Sequence, residues 1–163
     1  MRAGALAETI GMTLLAVGCA GLSDLFKDPD VHLNRVVIRG ASLTGGTLDL
    51  VIGVMNPNHF ELKGTEVQLG FDVQDTHVGD VDYNSDFQVP QGDSTLLTLP
   101  VSFTWSGVSA AVRAALTSGD IPYKMKGQLT LETPLGRRSV PFSREGRAPL
   151  MRSGAIPIPT GTH

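Results

Sequence analysis

Residues 65 to 74 constrain this chain more than any other stretch. Val67, Leu69, Phe71 and Val73 fall on one face, and Glu66, Gln68, Gly70, Asp72 and Gln74 on the other. Side chains of period two belong to a β-strand, in which successive residues point to opposite sides; a helix would scatter the same apolar residues around its circumference. Such a strand has one dry and one wet face, so it needs paired neighbours and a second layer to cover the dry side.

The same alternation recurs along the chain. Val31 and Leu33 lead into Val36-Val37-Ile38, which Gly40 ends, and Thr47 to Met55 presents Leu48, Leu50, Ile52 and Val54 after a Thr44-Gly45-Gly46 turn. His77 to Asp82 and Ser85 to Val89 are short extended pieces. Ser94 to Trp105 alternates Leu97, Leu99, Val101, Phe103 and Trp105 around Pro100, a residue confined to edges and bulges of sheets. Pro122 to Thr133 continues through Tyr123, Met125, Gly127, Leu129 and Leu131, and Pro134-Leu135-Gly136 turns into a last strand over Arg138 to Arg144.

One segment departs from this period. Between Ser106 and Gly119 the apolar residues Val108, Ala111, Val112, Ala115 and Leu116 have helical spacing, with Ser106 placed to cap the start and Gly119 to close the end. About seven short strands with turn residues between them predict an all-β fold: an antiparallel β-sandwich, immunoglobulin-like or fibronectin-III-like, with one short amphipathic α-helix. A chain of 163 residues has room for one such domain, placed at residues 31 to 150. Its single cysteine means that the core is held by apolar burial and not by disulfides.

That cysteine, Cys19, sits at the end of a leader. Arg2 near the start, an apolar run from Ile10 to Val17 and small residues before the thiol have the order of a secretory signal, and the run is too short to span a bilayer. Leu15-Ala16-Val17-Gly18-Cys19 resembles the lipobox of bacterial lipoproteins, departing from it at Ala16 and in the acidic Glu8. The resemblance implies removal of residues 1 to 18 as a signal peptide, a diacylglycerol on Cys19, and a place in the bacterial envelope. With Ala20 after the cysteine it implies the outer membrane, facing the periplasm. Residues 19 to 30 then form a tether and residues 151 to 163 a Pro-containing tail.

At the end of the second strand stands Asn56-Pro57-Asn58. Pro57 fixes its φ and has no N–H, so it stops a ladder, while Asn56 stays extended and Asn58 is suited to a left-handed or side-chain-bonded turn. An apolar strand running into this tripeptide, the alternating strand Val67 to Val73, a Pro90-Gln91-Gly92 turn and a helix before the last hairpin together resemble the late embryogenesis abundant type-2 family, also called the water-stress and hypersensitive-response domain. The resemblance covers about residues 31 to 150. It implies a folded, non-enzymatic protein linked to desiccation or water stress, and it makes Asn56, Pro57 and Asn58 a structural motif. The alternative is an envelope binding module for a lipid, a glycan or a protein partner.

Nothing local announces a reaction. His32, His59, His77 and His163 are dispersed without the spacing of a zinc hydrolase, and there is no nucleophile elbow and no phosphate loop. No catalytic residue, cofactor or metal is expected. The run Asp80 to Asp86 has oxygen ligands at alternate positions, but Ser85 and Gln91 replace the glycine and glutamate of a calcium loop, so it reads as a solvated strand face with Val81, Tyr83 and Phe87 inward. The aromatic residues Phe71, Tyr83, Phe87, Phe103, Trp105, Tyr123 and Phe142 share the alternation and are expected in the core. A formal charge of -3 with scattered basic residues gives no footprint for nucleic acid.

The leader generates a direct test. Acyl label should enter the wild-type chain in a Gram-negative host, and Cys19→Ala should take up none and move to the soluble fraction. Retention of the variant in the membrane, with no label in the wild type, would contradict anchoring through Cys19.

Overall fold

A computed structural model describes residues 25–153. Eight strands and one short helix follow in the order β1 (Asp30–Ala41), β2 (Gly45–Met55), β3 (Leu62–Val73), β4 (Thr76–Tyr83), β5 (Phe87–Val89), β6 (Ser94–Thr104), α1 (Ala110–Ala115), β7 (Asp120–Thr133) and β8 (Gly136–Arg152). The leader, Cys19 and most of the expected tether and tail lie outside the described residues.

The strands form a single path, β4-β3-β7-β8-β1-β2-β6, with β5 paired to β3 beside it. Neighbours are antiparallel except at one place. β8 pairs with β7 from Gly136 to Pro149 and then, at Leu150, Met151 and Arg152, runs parallel to Val36, Val37 and Ile38 of β1. This 17-residue strand therefore belongs to both halves of the molecule and joins them by backbone hydrogen bonds. The ends of the path, β4 and β6, also meet. A Cβ on Gly79 of β4 would lie 2.7 Å from Val101 Cγ1 and 3.0 Å from the Ser102 carbonyl, both on β6, so glycine is what permits this approach.

The chain is thus all-β with one small helix, as the alternation predicts. It differs from the expected division into two immunoglobulin-like or fibronectin-III-like sheets, because β8 bridges the layers and the path curls into a nearly closed, barrel-like sheet. The physical reason is length: the alternation marks a last strand only over Arg138 to Arg144, whereas β8 extends at both ends and its final residues cross to β1. Nothing in the composition of Glu145 to Arg152 has the apolar alternation that marks a half-buried strand; of these residues only Ala148 is buried.

Other elements hold more closely. Val67, Leu69, Phe71 and Val73 are all buried, facing Leu48, Leu50, Ile52, Leu99 and Val101 from β2 and β6 within one apolar cluster. Among the described residues, the buried core side chains run from Val31 to Ala148. Pro100 lies in β6, which ends the strand path and keeps one side free of a ladder partner, the place where a missing N–H costs least. The helix is shorter than its pattern and starts later. Ser109, not Ser106, caps it, its Oγ accepting from the Val112 N–H at 3.3 Å, and Val112, Ala115 and Leu116 seat it on the core. Gly119 follows at φ +81°, the left-handed conformation that favours glycine and lets the chain turn into β7.

Candidate functional site

The family-like tripeptide lies where β2 ends, and its two asparagines are buried polar residues, at 0% and 4% exposure. Each of their side-chain atoms is engaged. Asn56 Nδ2 donates to the carbonyls of Phe60 at 2.8 Å, Val89 at 3.1 Å and Pro90 at 3.2 Å. Asn56 Oδ1 accepts from the Asn58 backbone N–H at 2.9 Å and from Asn58 Nδ2 at 3.0 Å. Asn58 in turn pairs with the backbone of Lys27 in both directions, donating from Nδ2 to its carbonyl and accepting its N–H at Oδ1, each at 2.7 Å. The Asn56 N–H reaches the Asp93 carbonyl at 2.9 Å.

An amide side chain can do this because it carries two N–H donors and a carbonyl acceptor; a hydroxyl has a single proton, and a carboxylate would have none to offer the carbonyls. Pro57, between the two, brings no N–H that would need a partner in this dry place. The result is a polar knot. It ties together the segment leading into β1, the end of β2, the connection to β3 and the end of β5. Of the two turns open to Asn58, the structure takes the side-chain-bonded one; the positive-φ non-glycine residues among the described residues are Gln74 and Asp75. Beside the knot, Leu25, Pro57, Phe60 and Leu135 line a cavity of about 380 Å³.

Cys19 and His163 lie outside the described residues. His59 is exposed, and His32 lies 3.8 Å from Asp30. His77 is the one histidine drawn into a cluster, its Nδ1 2.9 Å from Asp72 and its Nε2 3.2 Å from Asp80 across the β3–β4 hairpin. The bond to Asp72, with a smaller contribution from Asp80, raises its pKa above the ordinary value against a partial desolvation. Two carboxylates on opposite ring nitrogens diverge, so they clamp a hairpin and do not converge on a common ion. The sequence hid this cluster because its members are set by the hairpin register. In the Asp80 to Asp86 run, Val81 and Phe87 are buried and Tyr83 half-buried, while Asp80, Asp82 and Asp86 are exposed, with Asp86 3.0 Å from Lys63.

Phe71, Phe87, Phe103, Tyr123 and Phe142 are in the core as expected. Trp105 is not. It stands just past the end of β6, half-buried, its ring edge-on to Phe103 with centroids 4.9 Å apart and its Nε1 donating to the Ser42 carbonyl at 2.7 Å. Alternation placed it on the inward face, but β6 stops at Thr104 and the turn sends the indole to the end of the barrel. There, opposite the asparagine knot, it lines a groove of about 810 Å³ together with Ile38, Leu43, Phe103 and Leu116, and with Arg39, Arg113 and Arg152.

The described residues therefore define a small all-β domain whose signature motif is a buried hydrogen-bond knot and which carries a groove of about 810 Å³ at the other end. The sequence profile of the family described as late embryogenesis abundant protein matches residues 51–146, more than half of the chain, and the chain belongs to this family. The search of curated proteins returned no significant match. Among solved structures, that of AT1g01470 from Arabidopsis thaliana is similar at 19% identity with a TM-score of 0.60, over 78% of this chain and 85% of that one. The X-ray structure of the structural-genomics target SoR45 is similar at 11% identity with a TM-score of 0.51, over 85% of this chain and 98% of that one. At such identities the likeness is one of fold.

The knot sets an order of mutational effects. Asn56→Leu removes the side-chain donor of the Phe60, Val89 and Pro90 carbonyls, of which Pro90 keeps the Asp93 N–H, and the acceptor of the Asn58 N–H; at ~1–3 kcal/mol for each group left without a partner, it should lower stability by about 3 kcal/mol or more. Asn58→Ala loses the Lys27 pair, at the exposed edge of the knot, and should cost about 0.5–2 kcal/mol. Urea denaturation checks the ranking; equal losses, or none, would contradict it.

Proposed function

We propose that this chain is a non-enzymatic, lipid-anchored envelope protein that protects against desiccation or water stress through its folded surface. The observation that carries the reading is family membership over residues 51–146, on a domain whose motif side chains are fully used in holding the fold. A motif with no unengaged donor or acceptor offers nothing to a substrate. The lipobox-like leader ending in Cys19 supports the anchor and an outer-membrane, periplasm-facing location. Among the described residues, no helix is long and apolar enough to cross a membrane.

Anchoring at Cys19 gives the domain an orientation. Leu25 is six residue steps beyond Cys19, a reach of about 20 Å when fully extended. With the anchor at Cys19 and the chain entering the barrel at Lys27, the asparagine knot would lie on the membrane side and the arginine-bearing groove would face away. That groove favours the second reading, a binding module, and it is the one observation that does so.

Protection by this chain depends on its fold, unlike protection by highly charged chains that act while unfolded. A chain beginning at Gly21 keeps every described core residue and should preserve a dehydration-sensitive enzyme through drying better than an equal mass of albumin. Leu69→Asp, which places an unpaired charge in the core, should abolish the advantage. Protection no better than albumin, together with normal survival of a deletion strain after drying, would overturn the stress reading.

A further inference from the structure

We propose that the groove at the Trp105 end is a binding site for a single-chain amphiphile with an anionic head, of the class of fatty acids. Its floor is apolar: Ile38 from β1, Phe103 and Trp105 from the end of β6, and Leu116 from the helix, with Leu43 of the β1–β2 turn 99% exposed above it. A volume of about 810 Å³ lies within the range of small-molecule sites, roughly 300–1,000 Å³. None of its lining residues is acidic.

The head group is indicated by the arginines. Arg39 is held by the buried Asp49, and on β8 Arg137, Arg144 and Arg147 are each paired with a carboxylate. The two remaining guanidiniums of the groove, Arg113 and Arg152, have no carboxylate partner among the described residues. Arg113 is positioned by donating to the Trp105 carbonyl, which fixes its charge beside the indole. Arg152 is positioned by the parallel pairing of β8 with Ile38. Two uncompensated cations at the rim of an apolar groove complement a carboxylate joined to a hydrocarbon chain, since a guanidinium binds a carboxylate through paired N–H donors and the floor takes the chain out of water. A neutral lipid would leave both cations unused, and a cationic one would be repelled.

The inference stands apart from stress protection and is tested without it. Trp105 is the only tryptophan in the chain, so its fluorescence reports on the groove alone. The chain beginning at Gly21 is titrated with laurate, with dodecyltrimethylammonium, and with acetate, all below micelle formation. Laurate should give a saturable change in emission; the cation of equal chain length and acetate should not. Arg113→Gln combined with Arg152→Gln should weaken laurate binding by about tenfold or more, the loss of a charge-assisted hydrogen bond, with an unchanged unfolding midpoint. Equal binding of laurate and the cation, no saturable response to laurate, or no effect of the double substitution would each overturn the proposal. So would binding that develops only when the chain is cut back to Ser153, which would make the groove the seat of the tail.

Discussion

Two buried side-chain amides, Asn56 and Asn58, hold this fold at the place where it is least able to hold itself. The segment before β1, the end of β2, the connection into β3 and the end of β5 converge there, where their ladders run out. Asn56 supplies a donor to three carbonyls and Asn58 a donor and an acceptor to Lys27, while the two amides bond each other. Without them the Phe60 and Val89 carbonyls would lose their side-chain donor and Pro90 would keep only the Asp93 N–H; each group left without a partner costs about a tenth or more of a typical small domain's stability of about 5–15 kcal/mol. Proline between them is the residue that adds rigidity without adding another donor to be satisfied.

The rest of the architecture follows from this closed end. With β1, β2 and β6 fixed at the knot, their ladders run the length of the barrel to the Trp105 end, and β8 crosses from β7 to β1 to join the two halves. Closure leaves one end sealed by hydrogen bonds and the other open between the β1–β2 turn, the helix and the end of β8. The concavity, with Arg113 and Arg152, which have no carboxylate partner among the described residues, sits at the open end. The division of labour, a structural end and an exposed end, is a consequence of where the backbone could and could not pair.

Much of this was legible in the residues. The strands β1, β2, β3, β6 and β7 announced themselves through alternation because each has a dry face and a wet one, and the tripeptide announced a turn through the chemistry of proline and asparagine. The knot itself was not legible. Its acceptors at Val89 and Pro90 lie 33 and 34 residues from Asn56, so only the register of β5 against β3 brings them near. Ser109 displaced Ser106 as the helix cap because the chain after Trp105 first makes a turn, closed by the Gly107 N–H on the Thr104 carbonyl. The crossing of β8 was hidden because its final residues pair mainly through backbone, which leaves no pattern in the side chains. Trp105 was placed in the core by a period that the end of β6 had already stopped.

Membership in the late embryogenesis abundant protein family, read on this geometry, makes the motif a device for folding and leaves function to the surfaces that it holds in place. The claim rests on Asn56 and Asn58 acting as a unit. A double-mutant cycle with Asn56→Ala, Asn58→Ala and the pair, measured by urea denaturation, tests it most directly. A shared knot predicts that the second substitution costs much less once the first is present, with a coupling of about 1–2 kcal/mol, inside the range for residues of one hydrogen-bond network. Losses that add to within about 0.3–0.5 kcal/mol, as for independent sites, would contradict it.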